Sequence, residues 1–301
     1  MVDNLYVHFP FCRRKCTYCA LPSRAVSPDA GYVGGLLRQL PPGPFKTVYF
    51  GGGTPALCDL RPLLKVLSAP EFTVELHPLD VTRELLAQLR DGGVNRISMG
   101  VQSFNDATLQ DMGRGYTASE AHRAFDLVRE YFDNAGIDLI VGYPGDHWQL
   151  ENWGYRHLSL YSLILEPKSI LARQNRKLPG DDEVLDRIRE LAEELAAMGL
   201  RRYEISSYAA PGYECRHNLA VWRGEDYLGI GDGAESGLNR DRREKMLALR
   251  TFLGLNADEF PQWRPTLEFY AGQGLLTREG SVYRLTPRGT EVCDSILADL
   301  A

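Results

Sequence analysis

The sequence predicts an α/β fold built around a parallel sheet, and three observations support this prediction. Short runs rich in β-branched and aromatic residues alternate with helical patterns through the first two thirds of the 301 residues. Several of these runs are almost entirely apolar, as strands covered on both faces are. The unusual residues follow the predicted strands, where ligands gather in parallel α/β folds. Both a βα barrel and an open doubly wound sheet are compatible with this pattern.

The alternation can be divided into individual elements. The helix that begins near Thr82 has a capping oxygen before its apolar-periodic run, and the pair Gly92-Gly93 ends it. The predicted strands cover residues 5–9, 47–50, 72–76, 96–101, 137–141, 158–163 and 203–207, and the predicted helices cover 31–39, 60–67, 82–90, 118–131 and 182–198.

The sequence changes character after about residue 236, which predicts two domains, 1–236 and 237–301. A charge-rich break at 239–243 precedes a helical run at 244–255, a second helical pattern at 267–272 and a short strand at 282–285. Two helices followed by a small β-wing resemble a winged-helix unit. Because this unit has no dense basic face, we expect it to pack against the larger domain or to cover it, and not to bind DNA.

Composition and charge exclude several classes of protein. The formal net charge of −6 gives no general attraction to nucleic acid. No run of eighteen apolar residues is present, so we expect no membrane span. The first residues lack the pattern of a secretory signal, and we therefore expect a cytoplasmic protein. Six cysteines are too few for a disulfide scaffold, and in a reducing compartment clustered cysteines more often hold metal.

Three clustered cysteines form the strongest motif. Cys12, Cys16 and Cys19 follow the first predicted strand, with three and then two residues between them. This spacing suits a loop around a cuboidal iron–sulfur cluster, whose irons prefer thiolate ligands. Three thiolates leave one of four irons free to bind a ligand. The alternatives are a zinc site completed by His8, although His8 lies in a predicted strand, and chance clustering.

A run of three glycines, 51–53, follows the second predicted strand and is the second signal. Glycine lets the backbone approach a ligand closely, although a triple glycine after a strand is usually only a tight turn. Together with the cysteine motif it resembles the radical S-adenosylmethionine (SAM) superfamily. The resemblance implies a 4Fe–4S cluster whose open iron chelates the methionyl part of SAM, and it implies that Tyr18 packs against the adenine.

Longer segments narrow the resemblance. Residues 5–12 (LYVHFPFC), 49–55 (YFGGGTP), 100–104 (GVQSF) and 137–144 (IDLIVGYP) resemble the oxygen-independent coproporphyrinogen III oxidase family. The family's order of segments covers most of the chain. It implies a partial (β/α)6 TIM-like barrel with a small C-terminal helical or winged-helix-like domain. The positions that match the family's SAM contacts are Tyr6, Gly52, Gly53, Thr54, Glu75, Gln102, Arg114 and Asp138.

Two features separate the branches of this family. True coproporphyrinogen oxidases carry a further cysteine two residues after the third, where this chain has Leu21. The segment 202–218 resembles the HemW-type heme chaperones, whose HNxxYW motif is HNLAVW at 217–222. Imidazole is a natural axial ligand of heme iron, so the resemblance implies that His217 binds heme. This chain departs from the family at Val221, where the motif has tyrosine, and at Glu235, where relatives carry histidine.

These features together predict a heme chaperone with the radical SAM fold. The expected cofactors are the 4Fe–4S cluster, SAM and heme. The expected partners are heme or another tetrapyrrole, an apo-hemoprotein that receives it, and a reductant such as flavodoxin or ferredoxin. One alternative is an enzyme, either a coproporphyrinogen III oxidase or another radical SAM enzyme that modifies a tetrapyrrole. Another is a binding protein that keeps the cluster but has lost heme, which the departures at Val221 and Glu235 would allow. Outside these motifs, His77 follows a strand end and either lines the site or caps a turn.

Overall fold

A single large sheet dominates the structure, a computed structural model that describes residues 2–239 and 242–301. Its strands are β1 Asn4–Phe9, β2 Thr47–Gly52, β3 Glu71–Leu76, β4 Arg96–Gln102, β5 Ala135–Val141, β6 His157–Ser162, β7 Arg201–Arg202, β8 Ser207–Ala209 and β9 Tyr227–Ile230. The first six strands lie side by side in sequence order and all run parallel.

The strand order identifies a partial barrel. Strand β9 extends the sheet beside β1 as a further parallel strand, and the short antiparallel strands β8 and β7 extend it beyond β6. A doubly wound sheet would reverse its strand order at a switch point, and this sheet does not. The predicted α/β fold with a partial (β/α)6 barrel is therefore confirmed.

The two faces of the barrel strands differ sharply in polarity. On β3, Phe72 and Val74 are buried in the main hydrophobic core, which lies between the sheet and its helices. The alternate residues Glu71, Thr73 and Glu75 lie on the opposite face, toward the barrel lumen. Neighbouring strands match this pattern, because Thr73 is paired with Arg96 and Glu75 with Ser98. The strands are therefore apolar on one face only, and the lumen is polar.

The helices of the barrel are α1 Tyr32–Gln39, α2 Arg61–Leu64, α3 Arg83–Asp91, α4 Asp106–Asp111, α5 Ala118–Tyr131, α6 Ile170–Arg173, α7 Asp181–Ala197 and α8 Arg216–Trp222. The predicted N-cap of α3 is confirmed, because the Thr82 hydroxyl accepts a hydrogen bond from the Leu85 N–H at 3.1 Å. In the described parts of the chain, no helix is both long enough and apolar enough to cross a membrane.

One strand prediction near the end of the barrel is wrong. Residues 203–206 form a turn between β7 and β8, which pair antiparallel with each other. The Glu204 side chain accepts a hydrogen bond from the Ser206 N–H and stabilises this turn. The β-rich composition of 203–207 therefore comes from a hairpin and not from a seventh parallel strand.

The C-terminal part has its own sheet and its own core. Strands β10 Leu255–Asn256, β11 Leu276–Glu279 and β12 Val282–Leu285 form the sheet, with helices α9 Arg264–Gly272, α10 Pro287–Glu291 and α11 Cys293–Leu300. The predicted helix at 244–255 is instead a 3-10 helix, Arg242–Arg250, that turns at Gly254 (φ +72°) into β10. Arg240 and Asp241 of the charge-rich break lie outside the described residues, and the domain boundary at 236/237 stays a prediction.

Candidate cofactor site

A cavity of about 1010 Å³ lies at the carboxyl ends of the parallel strands. This is the end of the barrel at which the sequence predicts ligands to gather. Most of the predicted site residues line this one cavity: Cys12, Cys16, Tyr18, Cys19, Gly52, Gly53, Thr54, Glu75, Gln102, Arg114 and Asp138. Residues that are far apart in the sequence therefore share one chamber, because most of them lie on neighbouring parallel strands or on the loops that directly follow them.

The three cysteines lie on a loop that is closed at its base. This cluster loop, residues 10–24, begins directly after β1. The Cys12 N–H donates to the Arg24 carbonyl at 3.0 Å, and the Arg24 N–H donates to the Pro10 carbonyl at 2.7 Å. Inside the loop, the Lys15 ammonium donates to the Leu21 carbonyl at 2.8 Å. All three thiols are partly accessible and free, so they can serve as metal ligands once deprotonated.

The triple glycine packs directly against the cluster loop. The Gly53 N–H donates to the Phe9 carbonyl at 2.7 Å, immediately before that loop. A methyl group added at Gly53 would lie 2.4 Å from the Phe11 carbonyl oxygen and 2.9 Å from the Cys12 sulfur. Gly52 has φ +105°, a conformation that side chains other than glycine rarely adopt. The segment is therefore more than a generic turn, because only glycine allows it to approach the cysteine loop this closely.

Two partly buried carboxylates form one wall of the cavity. Glu75 accepts hydrogen bonds from the Tyr49 hydroxyl at 2.8 Å and from the Gly52 N–H at 3.2 Å. Burial, reinforced by the nearby charge of Asp138, raises the pKa of Glu75 to about 7. The Ser98 hydroxyl donates to Asp138 at 3.1 Å, and burial raises the pKa of Asp138 as well. The pair can thus hold a proton near neutral pH or bond a cationic or hydroxylated ligand.

The buried guanidinium of Arg114 connects the cluster loop to β4. It donates to the Gly100 carbonyl at 2.5 Å, to the Tyr18 hydroxyl at 3.4 Å and to the Cys16 sulfur at 3.4 Å. Gln102, at the end of the same strand, has φ +77°, and a β-bulge precedes it. Such an outlier at a strand end is typical of a functional position.

The cysteine loop fits an iron–sulfur cluster better than a zinc ion. The zinc interpretation needs His8 as a fourth ligand, but its Nδ1 bonds the Tyr6 hydroxyl at 3.0 Å and its Nε2 bonds the Pro22 carbonyl at 2.9 Å. Among residues 2–239 and 242–301, no three His, Cys, Asp or Glu side chains are grouped to hold one metal ion. A cluster of several irons spaces its thiolates more widely than a single ion does, and suits a loop of thiols that face a cavity.

Two of the predicted site residues lie away from the cavity. Tyr6 is on the lumen side of β1, where its hydroxyl contacts His8, and burial raises its pKa. His217 is 5% exposed on α8, and its Nδ1 bonds the Thr47 hydroxyl at 2.8 Å near the start of β2. Its ring lies 5.1 Å from that of Tyr49, and burial lowers its pKa to about 4. Heme ligation by His217 requires α8 to move and stays a prediction.

The sequence interpretation missed part of the cavity wall. Among the missed residues are Arg14 and Ile164. His77, which the sequence predicts either to line the site or to cap a turn, does both: it lines the cavity and accepts the Leu79 N–H at Nδ1. Burial lowers the pKa of His77 to about 2, so its imidazole is neutral. The signal for Ile164 was present in the sequence, because this residue follows the predicted strand at 158–163. Ligand sites of parallel barrels lie at the carboxyl ends of the strands, and applying this strand-end rule to every predicted strand would have found Ile164.

Comparison with known proteins matches these observations. The family model described as "Radical SAM superfamily" matches residues 6–152. The heme chaperone HemW of Escherichia coli (strain K12) is 36% identical over 260 residues, which cover 77% of this chain and 69% of the relative. The heme chaperone HemW of Bacillus subtilis (strain 168) is 31% identical over 300 residues, which cover 89% of this chain and 79% of the relative.

A solved structure shows the same fold over almost the whole chain. The coproporphyrinogen III oxidase of Escherichia coli, described as a radical SAM enzyme, superposes with a TM-score of 0.79 at 20% identity. The match covers 99% of this chain and 89% of the oxidase. At this identity the likeness concerns the fold alone.

The partial parallel barrel, the three-cysteine loop and the glycine turn packed against it define a protein of the radical SAM superfamily. This membership implies a 4Fe–4S cluster and SAM as its cofactors. Within the superfamily, the chain belongs to the HemW family of heme chaperones.

Proposed function

We propose that this protein binds heme and delivers it unaltered to apo-hemoproteins, with a 4Fe–4S cluster and SAM bound in the cavity. The observation that carries the proposal is the cavity that combines the cysteine loop, the glycine turn and the carboxylates of Glu75 and Asp138. The HemW relatives, which are named heme chaperones, support the heme-handling part of the proposal. The similarity to the Escherichia coli coproporphyrinogen III oxidase does not support porphyrinogen oxidation by this protein, because that similarity concerns the fold alone.

The residues of the cavity have distinct proposed roles. Cys12, Cys16 and Cys19 hold the cluster, which when bound supplies an open iron for SAM and a route for one electron. The turn at 52–54 lies beside the cluster loop, and we assign it contact with the polar methionyl end of SAM. We assign hydrogen bonding of the remaining polar groups of SAM to Glu75, Gln102 and Asp138, and contact with its adenine to Tyr18.

Two further assignments follow from the chemistry of the cluster. Because an iron–sulfur cluster of this kind needs an electron and is damaged by oxygen, we propose a small reductant such as flavodoxin or ferredoxin as a partner. We also propose the cytoplasm as the compartment, since thiols remain reduced there. The exposed position of the cluster loop at one end of the barrel supports access by such a reductant.

The test is heme transfer by anaerobically reconstituted protein. Iron content and the cluster absorbance establish loading, and the Soret band follows heme as it moves to an apo-hemoprotein acceptor. We expect transfer with the mass of heme unchanged in the presence of SAM and a reductant. Heme or coproporphyrinogen altered in mass under these conditions would contradict the chaperone function and favour the enzymatic alternative.

A pair of cysteine variants provides the control. Cys16→Ser should lose the cluster, because it removes one of three thiolates. Cys58→Ser changes a buried cysteine that is outside the cavity lining, and it should reconstitute like the natural chain. Equal iron content in both variants would show that the cluster loop does not hold iron.

A further inference from the structure

The mouth of the cofactor cavity carries apolar side chains that are exposed to solvent. Leu21 in the cluster loop is 56% exposed, Leu79 after β3 is 43% exposed, and Ile164 after β6 is 72% exposed. All three line the cavity, and we call them the apolar rim. They come from three loops spread around the carboxyl ends of the barrel strands. Exposed apolar groups gathered at one opening mark a binding surface more often than scattered ones do.

The mouth also carries an unpaired cation. Three basic residues occur together in the cluster loop, but Arg13 is paired with Asp80, and Lys15 bonds Ser23 and the loop backbone. Within the described parts of the chain, Arg14 forms no hydrogen bond or ion pair, and its side chain is exposed on the cavity wall. An anionic group on a ligand at the mouth would therefore find one free guanidinium to bond.

The predicted heme ligand cannot reach an incoming heme in this structure. His217 is packed among the rings of Tyr6, Tyr49 and Tyr227, with centroid distances of 6.4, 5.1 and 6.5 Å. The Arg216 and His217 N–H groups, at the start of α8, donate to the buried carboxylate of Glu71 at 2.8 and 2.9 Å. Heme ligation there would require these hydrogen bonds and ring contacts to break, whereas the rim is open.

We propose that heme docks across the mouth of the cofactor cavity, with its macrocycle on the apolar rim and its propionates directed to Arg14, and not at His217. This inference rests on the proposed function. The rim and the guanidinium match the two chemical parts of heme, a flat apolar ring and a carboxylate edge. Glu166, an exposed carboxylate, also lines the cavity and would repel propionates that come close to it. A heme in this position covers the exit of SAM.

The test is an anaerobic hemin titration of the reconstituted full chain, followed at the Soret band. Ile164→Glu and Arg14→Glu should each raise the hemin Kd at least about tenfold, because each places a negative charge against the ring or the propionates. His217→Ala should bind hemin within about twofold of the natural chain. Phe269→Glu, at a residue 59% exposed on α9, and Lys65→Glu are the matched controls and should not change the Kd.

A second measurement tests the location through the release of SAM. Release of radiolabelled SAM should slow when hemin is added to saturation, and this effect should be lost in Ile164→Glu. Unchanged hemin binding in Ile164→Glu and Arg14→Glu would overturn the proposed site, and loss of binding in His217→Ala would place heme at His217 and leave the heme-handling function standing. SAM release that is indifferent to hemin would overturn it as well. If the natural chain does not bind hemin at all, the proposed function fails and the site fails with it.

Discussion

A single methyl group added at Gly53 should push the glycine turn away from the cluster loop. In Gly53→Ala the new carbon would lie 2.4 and 2.8 Å from the carbonyl oxygens of Phe11 and Phe9, and backbone atoms cannot move aside as a flexible side chain can. We expect the free energy of unfolding to fall by about 1–3 kcal/mol, as for other overpacked sites. We also expect iron content after reconstitution to fall sharply.

The matched control for this prediction is Gly31→Ala. Gly31 has no atom within 4 Å of the added carbon and precedes a helix with ordinary negative φ. It should therefore unfold and reconstitute like the natural chain. Normal iron loading of Gly53→Ala would mean that the glycine turn is not needed to form the cluster site.

The raised pKa of Glu75 makes a prediction about stability and pH. In the unfolded chain this carboxyl titrates at 4.5, and in the fold at about 7. Between these values the fold keeps a proton that the unfolded chain has lost, so the Glu75 contribution to stability falls as pH rises and levels off above pH 7. Relative to Glu75→Gln, the natural chain should lose on the order of 3 kcal/mol between pH 4.5 and pH 7.

The measurement is urea unfolding of both apo-proteins across this pH range. The comparison between the two chains removes the contribution of the buried histidines, whose lowered pKa values give the opposite slope. A constant difference at all pH values would show that Glu75 titrates normally and is not buried as the structure has it.

At the scale of single elements, the docking of α8 depends on one carboxylate. Glu71 lies at the start of β3 and accepts two N–H groups from the first turn of α8. An amide there has only one acceptor oxygen, so Glu71→Gln should lower the free energy of unfolding by about 1–3 kcal/mol. Hydrogen exchange of the α8 amides should also become faster.

The control for the α8 prediction is Glu193→Gln, which changes an exposed carboxylate on α7. If heme binds at the mouth of the cavity, Glu71→Gln should leave the hemin affinity unchanged. If heme binds His217, loosening α8 should strengthen hemin binding, so this variant also separates the two sites. Unchanged exchange at α8 would contradict the role assigned to Glu71.

Elements with strong local signals could be predicted from the sequence, and elements defined by distant contacts could not. The capped helix α3 and the helix α5 follow from periodicity and capping, and the parallel strands follow from short apolar runs. Helix α8 was missed because it is only seven residues long and its first N–H groups are satisfied by Glu71, 145 residues away in the sequence. Strand β9 was missed because its main support is pairing with β1 across the whole barrel domain.

The same distinction applies to the candidate site. Cysteine spacing and glycines after a strand are local patterns, and the strand-end rule brings them together without knowledge of the fold. The burial of His217 could not be predicted, since it depends on how α8 docks against β1 and β2. The exposure of Ile164 on the cavity wall depends likewise on the path of the chain after β6.

At the scale of the whole molecule, loss of the cluster should leave the fold in place. The cluster loop has almost no regular secondary structure, and after Phe11 none of its residues belongs to the main hydrophobic core, so the far-UV circular dichroism of apo and reconstituted protein should agree. Trypsin cleaves after basic residues such as those at 13–15. Its rate of cleavage in this loop should rise at least about threefold when the cluster is lost. Collapse of the helical signal on iron removal would show instead that the cluster is needed for folding of the barrel.

The polarity of the lumen has a consequence for a protein that gains and loses its ligands. Most side chains that face the inside of the barrel carry hydroxyls, carboxylates or imidazoles, whereas most of the aliphatic side chains and phenylalanines of the strands lie behind the sheet. Water in the empty cavity can therefore form hydrogen bonds with the cavity walls, and the apolar core between the sheet and the helices stays shielded from solvent. The protein can thus stay folded without its cofactors, because it does not expose the aggregation-prone apolar surface that an apolar cavity would have.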